Sequence, residues 1–262
     1  LNSAYVIAAL NAGYDIPVYK TVRTREYKCH PWPNVLPVDV TGDLGVMEET
    51  KTLITKEEYS EPLSITNSFG VPSKSPDVWQ PDMERAAKSA EKGQMVVGSF
   101  QGTKWENASA DEYVADWVQG AKLVKETGVH EVEANLSCPN EGKAHLLCYD
   151  IPRVVEIVDK IKNDIGDTPF VVKIGYFGDA PLREFVKSVG PLVQGISAIN
   201  TIPAKVMTPA GEQALPGNGR LVSGICGDSI RWAGVSMVKR MAELRAEMNL
   251  NFQITGVGGV VK

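Results

Sequence analysis

Six short strand-like runs, at 17–21, 95–100, 132–137, 170–175, 195–200 and 252–256, recur along the chain with helical stretches between them. This alternation restricts the fold more than any other feature. Several runs are apolar on consecutive positions, as expected for strands of a parallel sheet covered on both faces. The stretches between them have readable ends. Ser109-Ala-Asp-Glu112 is a capping box for a helix running to about Glu126 and stopped by Gly128. Its apolar positions Tyr113, Val114, Trp117, Val118, Ala121 and Val124 follow helical spacing. Asp150 with Pro152 starts the next helix, with a stripe of Val154, Val155, Ile157, Val158 and Ile161. A longer helix is expected from Ser229 to about Met248, another from Asp82 to Lys92 ending at Gly93, and the chain opens inside a helix. Repeated strand–helix units without a break in composition predict one α/β domain over residues 1–262.

Residues with polar chemistry stand at the C-terminal ends of several different strands. That favours a TIM (β/α)8 barrel over an open doubly wound sheet, which would gather them at one switch point. The six strands are read as about six of the eight a closed barrel needs. The barrel is therefore expected to be incomplete, without its first and last strands. The chain opens at Leu1 and stops at Lys262 just after a glycine turn, so both ends read as cut. Residues 25–59, rich in Pro and charge, are expected to be a long irregular cover or interaction surface.

Composition narrows the function classes. A net charge of −5 and the lack of a basic run argue against nucleic acid. No apolar stretch is long enough for a bilayer and no secretory leader is present, so no membrane association is expected. Cys29, Cys138, Cys148 and Cys226 form no Cys-x-x-Cys pair. This suits reduced thiols in a cytoplasmic protein better than disulfides, a zinc site or an iron–sulfur cluster. His30, His130 and His145 lack the spacing of a helical metal pair, so no metal is expected.

The densest chemistry is Asn135-Leu-Ser-Cys-Pro-Asn140, a thiol flanked by two carboxamides where a strand ends. Carboxamides read a planar ligand edge with donors and acceptors together, and an ionised thiol can remove a proton. Lys20 and Thr21 close the first strand, and Lys173 lies within the fourth. Each lysine could simply pair with a barrel acid, but two at one mouth suit an anionic cofactor or a carboxylate substrate. Asn67-Ser-Phe-Gly-Val71 reads as a turn, and Asn200-Thr201 closes the fifth strand. Ser223-Gly-Ile-Cys-Gly227 before the long helix and Gly256-Val-Gly-Gly259 after the last strand read as glycine turns. Such turns let backbone N–H groups approach a phosphate.

In this order these residues resemble the dihydroorotate dehydrogenases, flavin mononucleotide (FMN) barrels of pyrimidine biosynthesis, and the Asn-Leu-Ser-Cys-Pro-Asn string is the specific part of the likeness. The resemblance implies oxidation of dihydroorotate to orotate. Cys138 would remove the C5 proton while the C6 hydride passes to flavin N5. Asn67, Asn135, Asn140 and Asn200 would hold the ring and carboxylate. Thr201 and the turn of Ser68, Phe69, Gly70 and Val71 would complete the pocket. Lys20 would sit between flavin and substrate. Thr21, Asn135, Lys173, Ile199, Gly227, Gly258 and Gly259 would meet the cofactor. A Cys base is similar to the soluble class of the family, and residues 141–150 resemble its single-subunit, fumarate-using branch; family members are often dimers, so the resemblance allows a homodimer. Cys226-Gly227 and Ile230-Arg-Trp232 depart from the family's Ser-Gly and Ile-Lys-Pro.

Two other readings remain open. A pyrimidine-base reductase similar to dihydropyrimidine dehydrogenase would share Asn-Leu-Ser-Cys-Pro, but His typically follows there, where this chain has Asn140. A catalytically silent flavin-binding barrel would have no use for the thiol, both lysines and four carboxamides.

Overall fold

The computed structural model describes residues 2–46, 52–137 and 146–260. In chain order the elements run α1 (Ser3–Asn11), β1 (Val18–Val22), β2 (Val35–Asp39), β3 (Leu53–Thr55), β4 (Ser64–Asn67), α2 (Pro76–Ala87), β5 (Val97–Phe100) and α3 (Ala110–Lys125). They continue with β6 (Glu131–Asn135), α4 (Ile151–Ile165), β7 (Phe170–Ile174), α5 (Asp179–Val189), β8 (Gly195–Ala198), β9 (Ile202–Met207), β10 (Val222–Gly227), α6 (Arg231–Glu247) and β11 (Gln253–Gly256).

All six expected strands are present and form one parallel sheet, ordered β1-β5-β6-β7-β8-β11. This mixed α/β architecture with six parallel strands fits a TIM-barrel-type fold. Side chains alternate across each strand. On one face Val132, Ala134, Phe170, Val172 and Ile196 are buried in the same core as Val154, Ile157, Val158 and Ile161 of α4 and Leu182, Phe185 and Val186 of α5. On the other face the positions between them include polar groups: Ser99, Glu133, Asn135 and Ser197 are buried, and Lys173 is half-buried. Val97 and Val171 are buried on that face too, so it mixes apolar and polar groups where the face toward the helices is apolar.

Two helices form as their end signals dictate. The Glu112 N–H donates to Ser109 Oγ (3.1 Å) and the Ser109 N–H to Glu112 Oε2 (2.8 Å), the reciprocal bonds of a capping box. Asp150 Oδ1 accepts from the Arg153 N–H (3.2 Å) at the start of α4. The helix expected over 82–92 is displaced, because α2 begins at Pro76 after the extended Ser75 and ends at Ala87. Proline at the first helical position needs no N–H partner, and that start outweighs the Asp82 signal. Asp82 lies inside the helix and accepts from the N–H groups of Asn2 (3.0 Å) and Ser3 (2.9 Å), Ser3 Oγ (2.6 Å) and Tyr19 Oη (2.8 Å). It therefore ties α1 and β1 to α2. The long helix α6 starts at Arg231 rather than Ser229, after a short 3₁₀ turn, Asp228–Ile230.

A second sheet, closed in the order β10-β4-β2-β3-β9, lies beside the first and was not expected. It corrects two readings. Residues 25–59 are not irregular throughout, since they contain β2 and β3, and 223–227 is not a glycine turn but most of β10. The pairings are antiparallel except β3 with β9. These strands are short, come from distant parts of the chain and carry Pro and Gly, so no local period marks them.

Candidate active site

At the end of β1 the pairing with β5 slips between Tyr19↔Gly98 and Val22↔Phe100, a bulge that sets Lys20 and Thr21 against the single residue Ser99. Thr21 Oγ1 lies 3.0 Å from Ser99 Oγ, which donates to Glu133 Oε1 at 2.8 Å. Lys20 donates to the carbonyls of Thr21 (2.8 Å) and Pro72. It borders a cleft of about 440 Å³ with Cys29, Pro72 and Trp79. Although open to that cleft, its ammonium is crowded by protein atoms. This desolvation, with Arg23 nearby and Cys29 acting the other way, lowers its pKa to about 8. A slightly larger concavity, about 500 Å³ between α3 and α4, contains none of the strand-end residues.

The carboxamides fall on one connected path. Ser137 donates through Oγ to Asn135 Oδ1 (3.0 Å), and Asn200 Nδ2 donates to Ser137 Oγ (2.7 Å) and O (3.1 Å). Asn200 Oδ1 accepts from the Thr201 N–H (2.9 Å). Thr201 lies so close to β10 that a Cβ on Gly224 would overlap its hydroxyl, so only glycine fits there. Gly224 pairs with Asn67 at the end of β4, and Asn67 Nδ2 points at Cys226 Sγ, 3.5 Å away. Burial pushes the half-buried Cys226 thiol up, with the Asn67 contact opposing. Cys138 and Asn140 lie outside the described residues. Cys148, by contrast, is buried and pushed up to about 12, which leaves it un-ionised near neutral pH.

The 67–71 turn is held from both sides. The buried Arg23 donates to the carbonyls of Val71 (2.8 Å, Nε) and Gly70 (3.2 Å, Nη2) and to Thr103 Oγ1 (3.0 Å). Arg220 donates to the Ser68 carbonyl (2.7 Å) from the other side. Gly70 and Val71 have φ of 77° and 49°. Among the described residues the N–H groups of 69–71 donate to no backbone oxygen. Phe69 is exposed. His30 packs on this turn, its Nδ1 3.2 Å from Ser68 Oγ, and burial with the nearby Arg220 lowers its pKa while Ser68 opposes.

The late glycines converge. The Ile199 N–H donates to the Val257 carbonyl (2.9 Å), and Gly258 packs on Ile199 and Ile230. Gly227, at φ 106°, closes β10, and a Cβ on Gly259 would come within 2.7 Å of its carbonyl oxygen. Ser229, buried two positions on, has a hydroxyl without a partner among the described residues.

The structure thus links Asn135, Asn200, Thr201 and Asn67, joins Lys20 to the residue after the 67–71 turn, and gathers Ile199, Gly227, Gly258 and Gly259. Lys173 stands in register with Asn135. Sequence reasoning missed Arg23, Arg220, Ser99 and Glu133. Serine and glutamate inside apolar runs were the available signal for the last two, but the arginines sit in loops and carry none.

Polar groups gathered toward the carboxyl ends of parallel strands give this α/β protein a candidate strand-end site. A family model described as dihydroorotate dehydrogenase matches residues 57–262. A dihydroorotate dehydrogenase of Dictyostelium discoideum is 33% identical over 277 positions, covering 100% of this chain and 73% of that protein. The catalytic subunit of a dihydroorotate dehydrogenase B (NAD(+)) of Thermodesulfovibrio yellowstonii is 28% identical over 157 residues, 57% of this chain and 48% of that one. A putative dihydroorotate dehydrogenase A (fumarate) of Aeropyrum pernix is 29% identical over 135 residues, with 51% and 43% covered. The match spans less than half the length of each of these last two relatives. The chain belongs to the dihydroorotate dehydrogenase family, flavoproteins that oxidise dihydroorotate in pyrimidine biosynthesis. Among the described residues no helix is long and apolar enough to cross a membrane.

Proposed function

We propose that this chain oxidises dihydroorotate to orotate with FMN as cofactor, within a (β/α)8 barrel to which the six parallel strands belong. The observation that carries the reading is the connected path Asn135–Ser137–Asn200–Thr201 reaching Asn67 through Gly224. In a chain of this family such a path would suit the edge of a planar ligand, which supports the reading. Cys138 takes the proton from C5 of the substrate. Asn67, Asn135 and Asn140 read the ring, while Asn200, with both ends of its carboxamide used, holds Ser137 and Thr201. Lys20 and the N–H groups of 69–71 favour the carboxylate.

The residues present fit a phosphorylated flavin. Gly227, Gly258 and Gly259 bring bare backbone together where a Cβ on Gly227 or Gly259 would overlap neighbouring protein atoms, and the buried Ser229 hydroxyl has no partner among the described residues. Bound flavin supplies the acceptor for the C6 hydride. Ile199 and these glycines would hold it through the backbone, with Thr21 and Asn135 beside it. Lys173 would offer a positive charge near its ring. Fumarate as oxidant, a homodimer and a cytoplasmic location belong to the same reading.

The test follows flavin absorbance of the purified, flavin-loaded protein on adding dihydroorotate without oxygen. Bleaching that disappears in Cys138→Ala is the expected result. A yellow protein that stays yellow with dihydroorotate sinks the reading. Reoxidation by fumarate, rather than NAD(+) or a quinone, identifies the acceptor.

A further inference from the structure

Arg220 lies in the connection between β9 and β10, only 3% exposed. Its guanidinium donates to the carbonyls of Pro31 (2.8 Å), Pro33 (3.4 Å) and Pro216, to Asn34 Oδ1 (2.7 Å), and to Ser68 O (2.7 Å) and Oγ (3.4 Å). Every one of these acceptors is a neutral oxygen. Among the described residues no carboxylate pairs with it, whereas Arg25, Arg153, Arg183 and Arg240 each have one. Burial lowers its pKa, with Cys29 opposing, yet a guanidinium stays charged at any working pH.

A buried cation without a counter-ion is unfavourable, and neutral donors could bridge the same carbonyls at less desolvation. The charge therefore has a use beyond stapling loops. Its location indicates that use, because Ser68 belongs to the turn whose Gly70 and Val71 carbonyls accept from Arg23. Positive charge on the carbonyl side leaves the opposite side of the turn suited to an anion.

We propose that Arg220 is a positioning and specificity-determining residue whose guanidinium, held by neutral oxygens alone among the described residues and acting through the 67–71 turn, selects a carboxylate-bearing ligand over a neutral ring of the same shape. This rests on the function proposed above. The test uses the flavin-loaded protein and compares inhibition by orotate with inhibition by its neutral carboxamide. Arg220→Gln removes the charge but endangers the fold, so Asn34→Asp is the deciding variant. It keeps the acceptor 2.7 Å from Arg220 and supplies a negative charge in a side chain of the same size, giving up the Asn34 Nδ2 bonds to the His30 carbonyl (3.3 Å) and Cys29 Sγ (3.4 Å).

Asn34→Asp is expected to weaken orotate about tenfold while leaving the carboxamide within about twofold, with kcat for dihydroorotate changed less than KM. Arg220→Gln, if it folds, moves the ratio the same way. Equal weakening of both inhibitors makes Arg220 a structural staple only and overturns the inference, as does no change in either. A wild-type protein that oxidises dihydroorotate but does not prefer orotate overturns this inference alone. One that does not oxidise dihydroorotate overturns the functional reading beneath it.

Discussion

The two sheets carry the site in different ways. In the six-stranded sheet each polar group is fixed by strand alternation over a packed helical layer, as with Asn135, whose neighbours Ala134 and Leu136 are fully buried. In the five-stranded sheet the groups are fixed by cross-chain bonds: Asn67 touches Cys226, and Ser68 is held by Arg220 and His30. The first arrangement is rigid because apolar packing holds it, and the second because buried guanidiniums do. Chemistry that must be placed accurately is thus expected on the parallel strands, and ligand selection on the smaller sheet.

The largest effect tests the parallel side. Cys138→Ala, just past β6, should lower kcat by about 10²–10⁴-fold with little change in thermal stability, the range for loss of a general base. A drop below tenfold would move the base elsewhere, and the smaller sheet, with Cys226, would be the place to look. For the packing itself, Ile157→Ala in α4 should cost about 2–5 kcal/mol in denaturant unfolding, since Ile157 is fully buried beneath the sheet. A loss under about 1 kcal/mol would mean that the helical layer does not hold the strands.

A smaller effect is tied to acid. Burial tends to raise the Asp82 carboxyl, but its hydrogen bonds from Ser3, Tyr19 and Asn2 prevail and hold it at about 2. A depressed carboxylate stabilises the fold above its unfolded value of roughly 3.9 and loses that contribution as pH falls toward 2. Wild-type stability should therefore fall by about 2 kcal/mol more than that of Asp82→Asn between pH 5 and pH 2. Parallel curves would show that α1 is not anchored through Asp82. Smallest is Ser109→Ala, which removes one half of the capping box and should cost about 1 kcal/mol, measured by the same unfolding.

Much of the parallel half was legible. Ser109 and Glu112 marked their helix because a capping box is a local motif, and 132–137 read as a strand because its apolar residues Val132, Ala134 and Leu136 alternate with polar ones. The displaced α2 shows the limit of such signals: Asp82 looks like a helix start, yet its side chain caps another helix, a role set by residues about 80 positions away. The candidate site divides likewise. Asn135, Asn200 and Lys173 stood out as polar residues at or near strand ends. Arg220 did not, because its partners at 31, 33, 34, 68 and 216 share no period with it.

By itself the sequence determined which segments become the parallel strands and helices, and which strand ends carry thiol, carboxamide and ammonium groups. Those properties depend on neighbours within a few residues, where capping, periodicity and turn chemistry operate. Only the tertiary structure decided that β2, β3, β4, β9 and β10 pair into a second sheet, that Thr201 reaches Asn67 across Gly224, and that Arg220 is buried without a carboxylate among the described residues. Those outcomes depend on hydrogen bonds and desolvation between separate segments, some more than a hundred residues apart, and such contacts exist only once the chain has closed on itself.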